Sequence, residues 1–168
     1  MSDATWFRVQ GFVVCRQAFT PGPWHDALIA NRHLAQHDAQ CPESEAFQNL
    51  PALAELYAQL GQLAASISGM ALIPTYHYAR IYRPGATLNP HTDRSECEIS
   101  VSVNLGGDPW PLGIFDRDHY PHTHTLQAGD ALFYRGVEHV HWRPGRFSGQ
   151  ARLQMFGHWV DRDGPFAP

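Results

Sequence analysis

Residues 89–105 read NPHTDRSECEISVSVNL. Apolar Ile99, Val101, Val103 and Leu105 alternate with Ser100, Ser102 and Asn104, the period of a strand that buries one face. Just ahead of it stand His91 and Asp93, two good metal ligands two residues apart. On extended chain, residues i and i+2 point the same way, so both side chains can reach one ion. Either this is surface polarity before a hairpin, or it is part of a metal site.

The same alternation recurs on both sides. TYHYARIY (75–82) precedes an RPG turn, and WPLGIF, HTHTLQ, ALFYRGVEHVHWR and ARLQMFGHWV follow, separated by GGD, DRDHYP, AGD and RPGRFSG. Five to seven short strands at this spacing predict a sandwich or barrel. The N-terminal third differs. WFRVQGFVVC (6–15) reads as a strand. Thr20 is placed to cap a helix that runs through Leu34, and residues 38–47 read as a polar loop. In LPALAELYAQLGQLAASISGM, Leu53, Leu56, Tyr57, Leu60, Leu63 and Ile67 recur at helical steps, with Gly69 placed to close the C-terminus. The expectation is one domain over 1–168, mainly β with N-terminal α-helices. Helical support spans 20–70, and a double-stranded β-helix (jelly roll) spans 74–162.

Composition narrows the chemistry. The chain has 168 residues, 43% of them hydrophobic, and a net charge of −4. That is enough for one full core and argues against a phosphate-backbone grip, so no nucleic-acid partner is expected. All 12 basic residues are arginine. Without lysine there is no Schiff-base chemistry, and a buried anion must be held by guanidinium. Cys15, Cys41 and Cys97 fit neither a disulfide framework nor a zinc finger, which suits a reducing cytoplasm. The N-terminus lacks signal-peptide character, and no stretch reaches membrane-span length.

A third ligand for His91 and Asp93 should come from a later strand, and EHVHWR offers His139 and His141. Two histidines and one carboxylate leave three positions of an octahedral ion open on one face, as in non-haem Fe(II) oxygenases; a closed zinc site wants four ligands. The pieces RIYRPGATLNPHTDR, CEISVSVNL, LQAGDALFYRGVEHVHWR and ARLQMFGHWV, in this order over about half of the chain (80–160), resemble the prolyl-hydroxylase-like Fe(II)/2-oxoglutarate-dependent dioxygenases.

The resemblance implies that His91, Asp93 and His141 are the metal ligands and catalytic centre, with His139 the alternative to His141 or a neighbouring contact. It implies Arg152, on the next strand, as the residue that holds the far carboxylate of 2-oxoglutarate. Gln154 would assist and Arg143 would lie near the metal rim. It places Tyr82 near the cosubstrate, though a plain core aromatic would look the same. The implied reaction hydroxylates an unactivated C–H of a small molecule or an amino-acid or peptidyl substrate, with O2 consumed and succinate and CO2 formed. Demethylation or desaturation remains open, and the carboxylate at Asp93 argues against halogenation. The loop 106–125, with His119, His122 and His124, reads as a substrate-facing lid, a second metal site or an exposed connection. Two rivals stay in view: a cupin-type metalloenzyme without 2-oxoglutarate, and a non-catalytic metal-binding jelly roll.

Overall fold

A serine cap starts the chain. In the computed structural model, which describes residues 1–168, Ser2 Oγ accepts the backbone N–H of Thr5 at 3.3 Å. Helix α1 runs over Asp3–Gln10 and ends at Gly11, whose φ of 87° is left-handed. This corrects the strand expected over 6–15: only Phe12–Cys15, β1, is extended. The serine cap and the glycine stop outweigh the β-propensity of Trp6, Phe7 and Val9.

Helix α2 covers Gly22–Ala30 and starts past Thr20, whose side chain makes no capping bond. It stops at Asn31, whose side chain turns back to donate to the Ala27 carbonyl at 2.8 Å, so the expected run to Leu34 breaks into a short 3-10 turn. Residues 38–47 are not all loop either. Ser44–Gln48 form β2, a polar edge strand that is hard to see from sequence because its partner supplies the order. Helix α3, Ala54–Ser68, closes at Gly69 with φ 72°, as the apolar spacing predicts.

Eight strands follow: β3 (Leu72–Tyr82), β4 (Leu88–His91), β5 (Ile99–Gly107), β6 (Leu112–Phe115), β7 (Pro121–His124), β8 (Ala131–Tyr134), β9 (His141–Arg143) and β10 (Arg152–Asp161). The stretch ALFYRGVEHVHWR is thus two strands, β8 and β9, in different sheets. The larger sheet is ordered β1-β8-β5-β10-β3-β2 and the smaller β4-β9-β6-β7, all pairs antiparallel. This is the jelly roll. No helix is long and apolar enough to cross a membrane.

The two faces of the larger sheet differ in chemistry. Val101, Val103, Phe133, Met155, Ala79 and Ile81 join Phe7, Leu28, Leu56 and Leu60 of the three helices in one 22-residue apolar cluster. Truncating one such leucine to alanine costs about 2–5 kcal/mol. The opposite face carries Ser100, Ser102, Asn104, Gln154, His158, Arg80 and Arg152, all buried. Burying so many polar groups is unfavourable unless each is satisfied. This polar interior lies between the two sheets.

Candidate metal centre

Strands β4 and β9 pair with His91 directly opposite His141. The Nδ1–H of His91 donates to the Asn89 carbonyl at 2.8 Å, and that of His141 to the His139 carbonyl at 2.9 Å. A carbonyl can only accept, so each Nδ1 carries its proton and each Nε2 is left with a lone pair. Both Nε2 atoms face Asp93 Oδ1, at 3.6 Å from His91 and 3.3 Å from His141. A lone pair and a carboxylate need a cation between them, either a proton or a metal. One ligand atom from each of the three residues lies within 4.8 Å of the others.

Asp93 lies beyond the end of β4 and is held by other means than the strand ladder. Its N–H donates to the Gly136 carbonyl at 2.8 Å, and its Oδ2 accepts from Ser100 Oγ at 3.2 Å. Burial works to raise its pKa, but the imidazoles of His141 and His91 beside it outweigh burial and hold it well below the usual carboxylate range. The same contact with Asp93 raises the His91 pKa against the effect of burial. Gly136 is held to glycine by the site itself. A Cβ there would run into the Cys97 carbonyl and stand 2.5 Å from Asp93 Oδ2.

His139 faces elsewhere. Its Nδ1–H donates to the Phe115 carbonyl at 2.8 Å, and its ring fills the space above Gly11. Its Nε2 is buried without a partner.

Tyr82 and Arg152 lie directly opposite each other on β3 and β10, at the deep end of the polar interior, and both are fully buried. Arg152 Nε donates to Gln154 at 3.0 Å and Nη1 to the Asp108 carbonyl at 3.2 Å. Burial, aided by the charge of Arg143, pushes the Arg152 pKa down to about 9. Arg143 shares the inward face of β9 with His141 and is not at the metal rim as expected. Its guanidinium lies between the rings of Tyr82, 5.6 Å away, and Trp110, 5.3 Å away. Nη1 donates to the Trp110 carbonyl, while Nε and Nη2 are buried with no partner. Burial also lowers its pKa. The buried Arg80 is balanced by Asp38 at 2.6 Å, but neither Arg143 nor Arg152 has an acidic partner. Two uncompensated guanidiniums therefore lie one strand-step and more behind the triad.

A cleft of about 380 Å³ opens over His91, Asp93 and His141, with Tyr76, Tyr78, Arg80 and Arg94 in its wall. Of the histidine-rich segment 106–125 only Leu112 lines it; His119, His122 and His124 do not. His122 is held by Asp116 at 2.8 Å, β6 and β7 form an ordinary hairpin, and the loop's imidazoles join no three-ligand cluster.

Neither a family model nor a curated protein matches the chain by sequence. Solved structures do match in fold. A prolyl-4-hydroxylase from Pseudomonas putida superposes with a TM-score of 0.77 at 18% identity, over 96% of this chain and 97% of its own. The fold is that of the 2-oxoglutarate/Fe(II) oxygenases. The epimerase SnoN, in complex with Fe3+, alpha ketoglutarate and nogalamycin RO, gives 0.80 at 15% over 98% and 84%. HygX from Streptomyces hygroscopicus, with nickel and 2-oxoglutarate bound, gives 0.78 at 13% over 96% and 87%.

Proposed function

We infer that the chain is an Fe(II)- and 2-oxoglutarate-dependent oxygenase, one domain over 1–168, that hydroxylates an unactivated C–H of a small-molecule or amino-acid or peptidyl substrate. One observation carries the cosubstrate: the uncompensated pair Arg143 and Arg152 behind a two-histidine, one-carboxylate triad. A cupin-type enzyme or a silent binding module has no use for two buried guanidiniums without an anion.

His91, Asp93 and His141 would hold Fe(II) through Nε2, Oδ1 and Nε2, leaving one face of the ion toward the cleft. Bound there, iron with 2-oxoglutarate and O2 supplies oxidative cleavage of the cosubstrate to succinate and CO2, coupled to oxidation of the substrate C–H. The protein's part is placement. The orphaned Nε and Nη2 of Arg143 match the bidentate demand of a carboxylate, and Arg152 adds charge. Gln154 orients Arg152, and Tyr82 packs against the Arg143 guanidinium. The Tyr134 ring, 4.7 Å from that of His141, shields the ligand from water. Ser100 fixes the carboxylate of Asp93. At the open end Tyr76, Tyr78, Phe156, Gln48 and Arg94 surround a space of small-molecule size. The free, buried cysteines suit a reducing cytoplasm.

The test is succinate release from 2-oxoglutarate with Fe(II) and O2, first without added substrate and then with candidate small molecules. Succinate should form and be lost in His141→Ala and Arg143→Met. Metal binding without any succinate, across all candidates, would overturn the reading.

A further inference from the structure

The polar interior holds a second group of potential ligands that the triad leaves unused. One ligand atom each from Asp93, Cys97 and His158 lies within 4.8 Å of the others. Cys97 and His158 both line the cleft over the triad. His158, only 6% exposed, has its Nδ1 paired with Ser100 Oγ at 2.8 Å, which leaves Nε2 without a protein partner. The other two partners of Ser100 Oγ, Asp93 Oδ2 and the Cys97 carbonyl, can only accept. With the hydroxyl proton given to one of them, the Nδ1–H of His158 donates to Ser100 and Nε2 carries a lone pair. The sulfur has a polar contact of its own. Arg94 Nη2 donates to Tyr76 Oη at 3.0 Å, so the tyrosine's own proton is free to point at Cys97 Sγ, 3.1 Å away. That contact works toward the thiolate, the form that binds metal, but burial outweighs it and pushes the Cys97 thiol up to about 11, so an incoming metal must itself displace the proton.

We propose that Asp93, Cys97 and His158 form a second metal site, for a thiophilic divalent cation of the zinc kind, that shares Asp93 with the triad. Oδ1 of Asp93 faces His91 and His141, and Oδ2 faces Ser100 on the side of Cys97 and His158, so the carboxylate bridges the two positions. The two donor sets differ in softness. Imidazole and carboxylate suit iron, while the added thiolate suits zinc or cobalt. Three protein ligands leave the fourth position of a tetrahedral ion to water or to a molecule in the cleft, so this is an exchangeable site rather than a closed structural one. Binding releases one proton, from the Cys97 thiol. The inference needs the geometry around Asp93 but not the cosubstrate.

The test titrates the metal-free full chain with Co(II) under anaerobic conditions and reads absorbance and stoichiometry. Two equivalents should bind, with a near-ultraviolet sulfur-to-cobalt charge-transfer band. In Cys97→Ser the band should vanish and one equivalent remain. In His91→Ala the band should persist while the triad equivalent weakens, which separates this site from the reading of the triad. In His158→Gln, affinity for the second equivalent should fall by more than the about 10–100-fold seen when a ligand's outer support is removed. This last variant decides the matter if Cys97→Ser does not fold. A single equivalent with no sulfur band in the wild-type protein would overturn the proposal. So would a band that survives Cys97→Ser, which would place the sulfur at Cys15 or Cys41.

Discussion

Replacing Arg143 with methionine should make the ligand-free protein more stable while removing its affinity for 2-oxoglutarate. Arg143 Nε and Nη2 are both buried without partners. An unsatisfied buried polar group costs about 1–3 kcal/mol, so the two together cost about 2–6 kcal/mol. Methionine retains the apolar packing against Tyr82 and Trp110 but gives up the charged hydrogen bond to the Trp110 carbonyl, a loss of about 1.5–3 kcal/mol. At mid-range the net expectation is a gain of about 2 kcal/mol. For a chain of this length each kcal/mol shifts Tm by about 2–4 °C, so Tm should rise by about 4–8 °C. Ligand reverses the order. At a hundredfold excess over Kd, 2-oxoglutarate should stabilise the nickel-loaded wild-type protein by about 2.7 kcal/mol and the variant by almost nothing. Scanning calorimetry of both proteins, with and without 2-oxoglutarate, reads all four values. A ligand-free Arg143→Met that melts below the wild type, or one that 2-oxoglutarate stabilises equally, would refute the reasoning.

Other expectations follow from the same geometry. Gly136→Ala should push on Asp93 and Cys97 together and weaken metal binding by about 10–100-fold, measured by competition with a chelator. His139→Asn should leave metal affinity within twofold of wild type, because its ring packs on Gly11 rather than on the triad; a large loss of affinity would contradict the assignment of His141. Burial pushes the His158 pKa down to about 4. The folded state therefore binds fewer protons than the unfolded one between about pH 6.5 and pH 4, and stability should fall as pH drops through that window. The loss attributable to His158 is about 3 kcal/mol, and urea unfolding of wild type and His158→Gln at pH 7 and pH 4 should show it shrink in the variant.

The candidate triad was legible because its signal is local. His91 and Asp93 are two residues apart, and His141 lies in a short strand marked by EHVHWR. The alternation of residues 99–105 made the jelly roll legible in the same way. What stayed hidden depends on contacts between distant strands. Ser100, His158 and Tyr76 meet only because β5, β10 and β3 pair in a particular register. Whether a guanidinium has a partner is likewise a property of packing, so Arg143 could be named from sequence but not seen to be orphaned. Helix α1 escaped notice because Trp6, Phe7 and Val9 look like a strand until the Ser2 cap and the Gly11 stop are weighed against them. Strand β2 escaped because Ser44, Glu45 and Gln48 are polar, and its order comes from β3.

The most direct measurement is an anaerobic Fe(II) titration with and without 2-oxoglutarate, followed by visible absorbance. The account predicts a weak metal-to-ligand charge-transfer band that needs both components and is lost in His91→Ala, Asp93→Ala and Arg143→Met. Iron binding with no such band at saturating 2-oxoglutarate would contradict it.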